Sequence, residues 1–458
     1  MEKFREESDS IGTLKIPINA YYGVQSLRAA KNFNISGNKM NKKFIYNITK
    51  IKKAAAIVNN KANTLSLEFR DAILSACDEI LFGKFDNEFI TDAIQGGAGT
   101  SVNMNVNEVI ANRATEFLGG KLGEYICHPN DHVNKSQSTN DVIPTAGTLT
   151  VLELSIPLLA NMERLVEAFN KKAVEFDNVI KMGRTQLEDA VPIRLGQEFA
   201  AYASSTKRCA NLYKTALNEM HVVNLGGTAI GTAINADKYY LNNVTDELSR
   251  ITDIELKQAE NLVDSTQSLD GFVFVSSALK TFAVNVSKIC NDLRLMASGP
   301  KTGFGEIILP AMQNGSSIMP GKVNPVIPEV VSQVSFDIIG NDVTIAMAAE
   351  AGQLELNAFE PVVFFKLFES INCLTNAIDT FITNCIEGIS ANKKRCEDLL
   401  NSSVGIVTAL CPFIGYKKAA QLAKEALKSN VSVKSLVLKY GIMNEEQLNK
   451  VLNIKTMT

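Results

Sequence analysis

The chain has 458 residues, with 46 basic and 49 acidic side chains and a formal charge of −3. Hydrophobic residues make up 46% and charged residues 21%, the balance of an ordinary soluble globular protein of up to about three domains. So even a charge gives no electrostatic reason for nucleic acid or an anionic membrane as the main partner.

The N-terminus, MEKFREESDS, is charged and lacks the apolar core of a signal peptide. No apolar run reads as long enough to span a bilayer. The first polar stretch, QGGAGTSVNMNVNEV at 95–109, has glycines that let a ligand approach the backbone. Thr100, Ser101, Asn103 and Asn105 follow as uncharged donors at the start of an expected helix, where anions are attracted. The second, HPNDHVNKSQSTNDVIPT at 128–145, puts Ser138, Thr139 and Asn140 side by side. A helix N-cap accounts for one of them, not three. A helix is expected over 142–175. The third, MGRTQLEDAVPIRLGQE at 182–198, carries Arg184, which could pair with Asp189 or Glu188. Thr185 and Gln186 offer a hydroxyl and an amide suited to an ammonium or a polarised oxygen. A further helix is expected over 194–220, and NLGGTAIGT at 224–232 breaks the pattern.

The strongest periodicity lies at 272–298. Val275, Leu279, Phe282, Val286, Ile289, Leu293 and Met296 recur at alternating spacings of four and three, until Gly299-Pro300 stops the helix. The stretch 299–325 is glycine-rich and long for a loop, which marks it as functional or disordered. Its end, GSSIMPGKVNPVIPEV at 315–330, is the fourth polar stretch. Lys322 and Asn324 lie two apart and point the same way in an extended segment, making a carboxylate site. Ser316 and Ser317 sit at the flexible end beside Gly315, as in a lid. Helices follow over about 329–349, with Val330, Val334, Ile338 and Ile339, and about 352–390, with Leu354, Leu356, Phe364, Leu367 and Ile371. The tail from about 395 reads as a separate small helical unit. Helices this long pack antiparallel at shallow angles, and they have more apolar face than one chain needs.

Eight cysteines are scattered without a CxxC pair, and no HExxH occurs. Free buried thiols in a reducing cytosol are expected, and no zinc site. Histidine is limited to His128, His132 and His221. His132 reads as structural.

These stretches carry a resemblance. GSSIMPGKVNP is similar to the signature loop of the fumarase/aspartase superfamily. YYGVQSLRA at 21–29, QGGAGTSVNMNVNE, NDHVNKSQSTND, GRTQLEDAVP and AAEAGQLELNAFEPV at 348–362 also resemble its members, so the likeness covers nearly the whole chain. Within the superfamily the residues are nearer the aspartase branch. Gln186 stands where fumarases typically have histidine, and Thr139 where they typically have serine. HPND at 128–131 instead resembles a secondary anion site of fumarases.

The resemblance implies a mainly α, three-domain lyase, divided at 1–139, 140–394 and 395–458. Its central long helices would form a core of about twenty helices in a homotetramer, with each active site shared by three subunits. It implies conversion of L-aspartate to fumarate and ammonia through an aci-carboxylate, with Ser316 as the base. Thr100, Ser138, Thr139 and Ser317 would hold the carboxylate that becomes the enediolate. Lys322 and Asn324 would pair with the other carboxylate, and Asn140, Thr185 and Gln186 would surround the amino group. Gln186 cannot donate a proton as histidine would, which leaves the acid for the departing amine open. No organic cofactor is implied. Some members are activated by divalent metal such as Mg2+, but no ligand cluster is evident here. A fumarase acting on malate remains the first rival and a non-catalytic structural member the second. The intact Ser316, Lys322, Asn324 and Thr185 argue against the latter.

Overall fold

The computed structural model describes residues 3–315 and 317–451. Helices dominate. In chain order they are α1 (Val24–Asn32), α2 (Lys42–Lys61), α3 (Leu67–Leu81), α4 (Thr100–Phe117), α5 (Thr139–Glu175), α6 (Leu195–Glu219), α7 (Lys238–Thr252), α8 (Leu262–Gln267), α9 (Asp270–Met296), α10 (Val326–Glu350), α11 (Glu360–Asn384), α12 (Lys393–Ser402), α13 (Cys411–Ile414), α14 (Tyr416–Ser429), α15 (Val433–Lys439) and α16 (Glu445–Val451). Strands occur only as short pairs among the described residues: β1 (Phe4–Ser8) with β2 (Thr13–Pro17), β3 (Ile180–Thr185) with β4 (Glu188–Arg194), β5 (Val222–Val223) with β6 (Lys257–Gln258), and β7 (Ile307–Ile308) with β8 (Ser390–Ala391).

The chain forms two compact units. The first comprises 1–158, 212–281 and 337–373. Here α2 packs on α3 and α7, and α3 on α4. Side chains of Phe44, Ile48 and Ile51 on α2 are fully buried, as are Ile73 on α3 and Val109 on α4. Phe44 meets Phe364 and Phe368 at ring-centre distances of 5.5 and 5.6 Å. Gly147 on α5 makes room for this cluster: a Cβ there would lie 2.4 Å from the Phe364 ring.

The second unit comprises 159–211, 282–336 and 374–458. Its core gathers Phe169, Phe199, Tyr202 and Phe381. The β3–β4 hairpin packs against α12. Nearer the C-terminus, Leu410, Leu422, Val433, Leu436 and Leu448 form a small apolar cluster of their own.

The stripe on α9 is as expected: Val275, Leu279, Phe282, Val286, Ile289, Leu293 and Met296 are all buried. Two helices differ from the sequence reading. Helix α10 begins at Val326 and takes Pro328 into its first turn, where the missing N–H needs no partner. Helix α11 begins only at Glu360. Residues 352–359 turn instead, with Leu354 exposed and Asn357 Nδ2 donating to the carbonyls of Ala348 and Ala349 at the end of α10. Helices α5 and α9 are also long and apolar enough, by length and composition alone, to cross a membrane, which the sequence reading did not expect. Their apolar stretches are 72% and 56% buried inside the protein, as befits core helices.

Candidate active site

The first two polar stretches lie in the first unit. The glycine turn before α4 places Gly97, Ala98 and Gly99 at positive φ. Gly99 suits its φ of 86°, and a Cβ there would crowd the Ile143 side chain at 3.0 Å. Thr100 opens α4 and is exposed, and its hydroxyl donates to the Gly97 carbonyl at 2.7 Å. Its proton is therefore committed locally until the side chain rotates.

Ser138, Thr139 and Asn140 stand at the start of α5, all half-buried. Asn103 Nδ2 donates to Thr139 Oγ1 at 3.2 Å, so the Thr139 proton is left to donate elsewhere. Asn140 Nδ2 donates to the Ala229 carbonyl at 2.7 Å. Behind these residues lies Asp141, fully buried. Its carboxylate accepts from the backbone N–H groups of Ser138, Gly226 and Thr228 at 2.9, 3.0 and 3.2 Å. Burial nevertheless pushes Asp141 up to about 6. Lys52, also fully buried, donates to Asn134 Oδ1 at 2.7 Å, and Asn103 and Asn107 share that acceptor. Burial pulls Lys52 down to about 7, opposed by the charge of Asp141.

His132 is structural in its contacts. Its ring stacks on Phe69 at 4.0 Å, and Nδ1 accepts from the His128 backbone N–H. Burial lowers its pKa. His128 caps the short helical turn at Pro129–Val133.

The other two stretches lie in the second unit. The β3–β4 hairpin turns at Gln186 and Leu187, with φ of 56° and 65°. Both positive values fit the tight hairpin turn that matches strand twist, although neither residue is glycine. Thr185 and Gln186 are exposed there. The expected pairing of Arg184 with Asp189 is long, at 3.9 Å. Its short contact is with Glu306, at 2.8 Å. The segment 311–323 is exposed at its described positions, including Ser317 and Lys322. Asn324 is half-buried, and its carbonyl accepts from Val326 N–H as α10 begins. Gly315 runs so close to the Lys322 carbonyl that a Cβ would lie 1.6 Å from it. Ser316, the expected base, lies outside the described residues.

The sequence reading missed two residues here. Asp141 had a signal, because it lies three residues after Ser138 in the spacing of a capping box. Lys52 had none. Among the described residues no group of three or more His, Cys, Asp or Glu side chains assembles a metal site.

A family model described as "Lyase" matches residues 12–340, and one described as "Fumarase C C-terminus" matches 406–458. The aspartate ammonia-lyase of a Bacillus species is 50% identical over 455 residues, covering 99% of this chain and 97% of that one. The structure of a fumarate lyase:delta crystallin from Brucella melitensis bound to cobalt superposes with a TM-score of 0.97 at 47% identity, covering both chains fully. A class II fumarase from Schistosoma mansoni gives 0.95 at 34% identity, covering 99% of each chain. The chain belongs to the lyase family that contains the fumarases and aspartate ammonia-lyases.

Proposed function

We propose that the protein is an aspartate ammonia-lyase that converts L-aspartate to fumarate and ammonia. The observation that carries this reading is the 50% identity to an aspartate ammonia-lyase over 99% of the chain. A second supports it. Asn140 has its nitrogen tied to a carbonyl, leaving its oxygen as an acceptor that suits an ammonium.

The chemical difficulty is a weakly acidic C–H beside a carboxylate. In the proposed sequence Ser316, as an alkoxide, takes that proton. The electron pair moves into the carboxylate and gives an enediolate. Collapse of the enediolate forms the C=C bond and breaks the C–N bond, and ammonia leaves. Fixed donors at the developing charge are the largest contribution available, a few kcal/mol for each good one. Thr100, Ser138, Thr139 and Ser317 are proposed for that carboxylate, and Thr139 already has its proton free to donate. Lys322 and Asn324 would grip the other carboxylate. Asn140, Thr185 and Gln186 would face the amino group. No step calls for a metal or an organic cofactor; Mg2+ would act only as an activator.

We further propose a homotetramer with shared sites, in the cytoplasm, with the division at 1–139, 140–394 and 395–458. Helix α10 supports the assembly. Phe336, Val343 and Met347 on it are 61%, 56% and 67% exposed, with Gly340 between them, at the spacing of a helix–helix seam. An exposed row of large apolar side chains along a long helix calls for a partner to cover it. Eight free cysteines fit a reducing compartment. The small apolar cluster around Leu436 supports a separate C-terminal part.

The test is to supply aspartate and malate in separate assays and follow fumarate absorbance. Fumarate from aspartate is expected. Fumarate from malate alone would make the protein a fumarase, and no product from either in a folded oligomer would make it a structural relative.

A further inference from the structure

Pro144, inside the continuous helix α5, leaves one backbone carbonyl without its helical donor beside the proposed amine site. In α5 the N–H of residue 144 would bond the carbonyl of residue 140, but proline has no N–H. The Asn140 carbonyl is taken instead by Asn224 Nδ2, at 2.9 Å. Asn224 is itself held. Its Nδ2 also meets Thr266 Oγ1 at 3.2 Å, and its Oδ1 accepts from Thr145 at 3.4 Å. It is 2% exposed.

The same segment holds the Asn140 side chain. The Ala229 carbonyl accepts from Asn140 Nδ2 at 2.7 Å, and a carbonyl can face only the nitrogen end of an amide. Asp141 completes the fastening through Gly226 and Thr228. Asn140 and Asp141 are thus tied to 224–229 by four hydrogen bonds, and among the described residues Asn140 Oδ1 accepts none.

We infer that Asn224 is a specificity-determining positioning residue: by donating to the carbonyl that Pro144 leaves without its helical donor it fixes Asn140 with its amide oxygen toward the substrate's ammonium. This rests on the aspartate ammonia-lyase reading. An oxygen presented in this way accepts from N–H donors and offers nothing to a dicarboxylate without an amine. Asn224 touches no reacting atom and acts through Asn140.

The test compares binding of an amine-bearing and an amine-free dicarboxylate. KM for aspartate and the competitive inhibition constant of succinate are measured for the wild type and for Asn224→Ala. The variant should raise KM for aspartate about tenfold, the effect of one lost polar contact, and leave the succinate constant within about twofold. General loosening of the site would raise both together. A parallel rise, or no change in either, overturns the inference. If Asn224→Ala is not recovered folded, Thr266→Val replaces it, removing one of the contacts that hold Asn224. A smaller rise in KM at constant succinate affinity supports the inference, and an unchanged ratio overturns it. A wild type that makes no fumarate from aspartate overturns the reading and the inference with it. Wild-type turnover with an unchanged ratio in the variants overturns the inference alone.

Discussion

The Arg184 guanidinium lies 2.8 Å from the carboxylate of Glu306, a side chain that solvent does not reach. Lys181 approaches the same carboxylate at 3.0 Å and reaches Glu198 at 2.9 Å. Arg395 donates to the carbonyls of Gly303 and Phe304 just before it. The hairpin that carries Thr185 and Gln186 is thereby fastened to the root of the segment that carries Lys322 and Asn324. Glu306→Gln would leave two cations short of a buried counter-charge. The expected loss is about 3–5 kcal/mol of unfolding free energy, the usual consequence of removing one partner of a buried pair. Urea unfolding at neutral pH measures it, and a loss below about 1 kcal/mol would mean that the network is slack.

Asp141 makes stability depend on pH in a definite direction. Its folded pKa, raised from 3.8 to about 6, means that the folded state prefers the protonated form. Its contribution is complete below about pH 4 and is lost as pH rises through about 6. The rise corresponds to about 3 kcal/mol. Asp141→Asn should therefore lie furthest below the wild type near pH 4, and the gap should narrow by about that amount by pH 7. Lys52 works in the opposite sense: its folded pKa is depressed to about 7, so stability is lost as pH falls through that value. Denaturant titrations of both proteins between pH 4 and 8 check the narrowing, and a constant gap would contradict it.

The seven-residue stripe of α9 was legible because burial on one face writes its period directly into the sequence. The same logic failed at 352–359. Leu354 and Leu356 continue an apolar pattern, but Gly352 and Asn357 give the chain a turn there. In the site, Ser138, Thr139 and Asn140 stood out because three polar groups exceed what one cap needs. Glu306 and Lys52 did not stand out. A charged residue reads as surface unless its partner is near in sequence, and Arg184 is 122 positions from Glu306. Lys52 is neutralised by nothing nearby in the chain. The role of Ser316 rests on resemblance alone.

Glu360 opens α11 with both carboxyl oxygens buried and, among the described residues, without a hydrogen-bond partner. Burial alone pushes its pKa well up. Its contribution to stability is thus greatest in acid and is lost as pH rises through the folded pKa. Glu360→Gln keeps the shape and removes the proton equilibrium. Melting temperatures of variant and wild type should diverge in the variant's favour as pH rises above the ordinary carboxyl range. Parallel curves would show that Glu360 finds a partner when the protein assembles.

The seam on α10 predicts an assembly that a pair of charges can break. Phe336 and Met347 are the most exposed of its large apolar residues. Burying each stabilises an interface by about 1.5–3 kcal/mol per copy. Phe336→Glu with Met347→Glu should shift the protein toward smaller species in sedimentation velocity and lower turnover in parallel. An unaltered sedimentation coefficient would remove this helix from the interface.

The turn at Gln186–Leu187 holds two side chains where L-residues are strained, and Leu187 is largely exposed, so packing does not offset its strain. A left-handed backbone costs a residue such as leucine about 1–2 kcal/mol, while glycine gives back about 0.5–1 through its freer unfolded chain. Leu187→Gly should therefore stabilise the protein by about 0.5–1 kcal/mol in urea unfolding. Strain of this kind persists where the surroundings fix a functional geometry. If the rigid turn aims Gln186 at the amino group, the stabilised variant should show a higher KM for aspartate. A variant that gains stability at no cost in KM would mean that the turn only connects two strands.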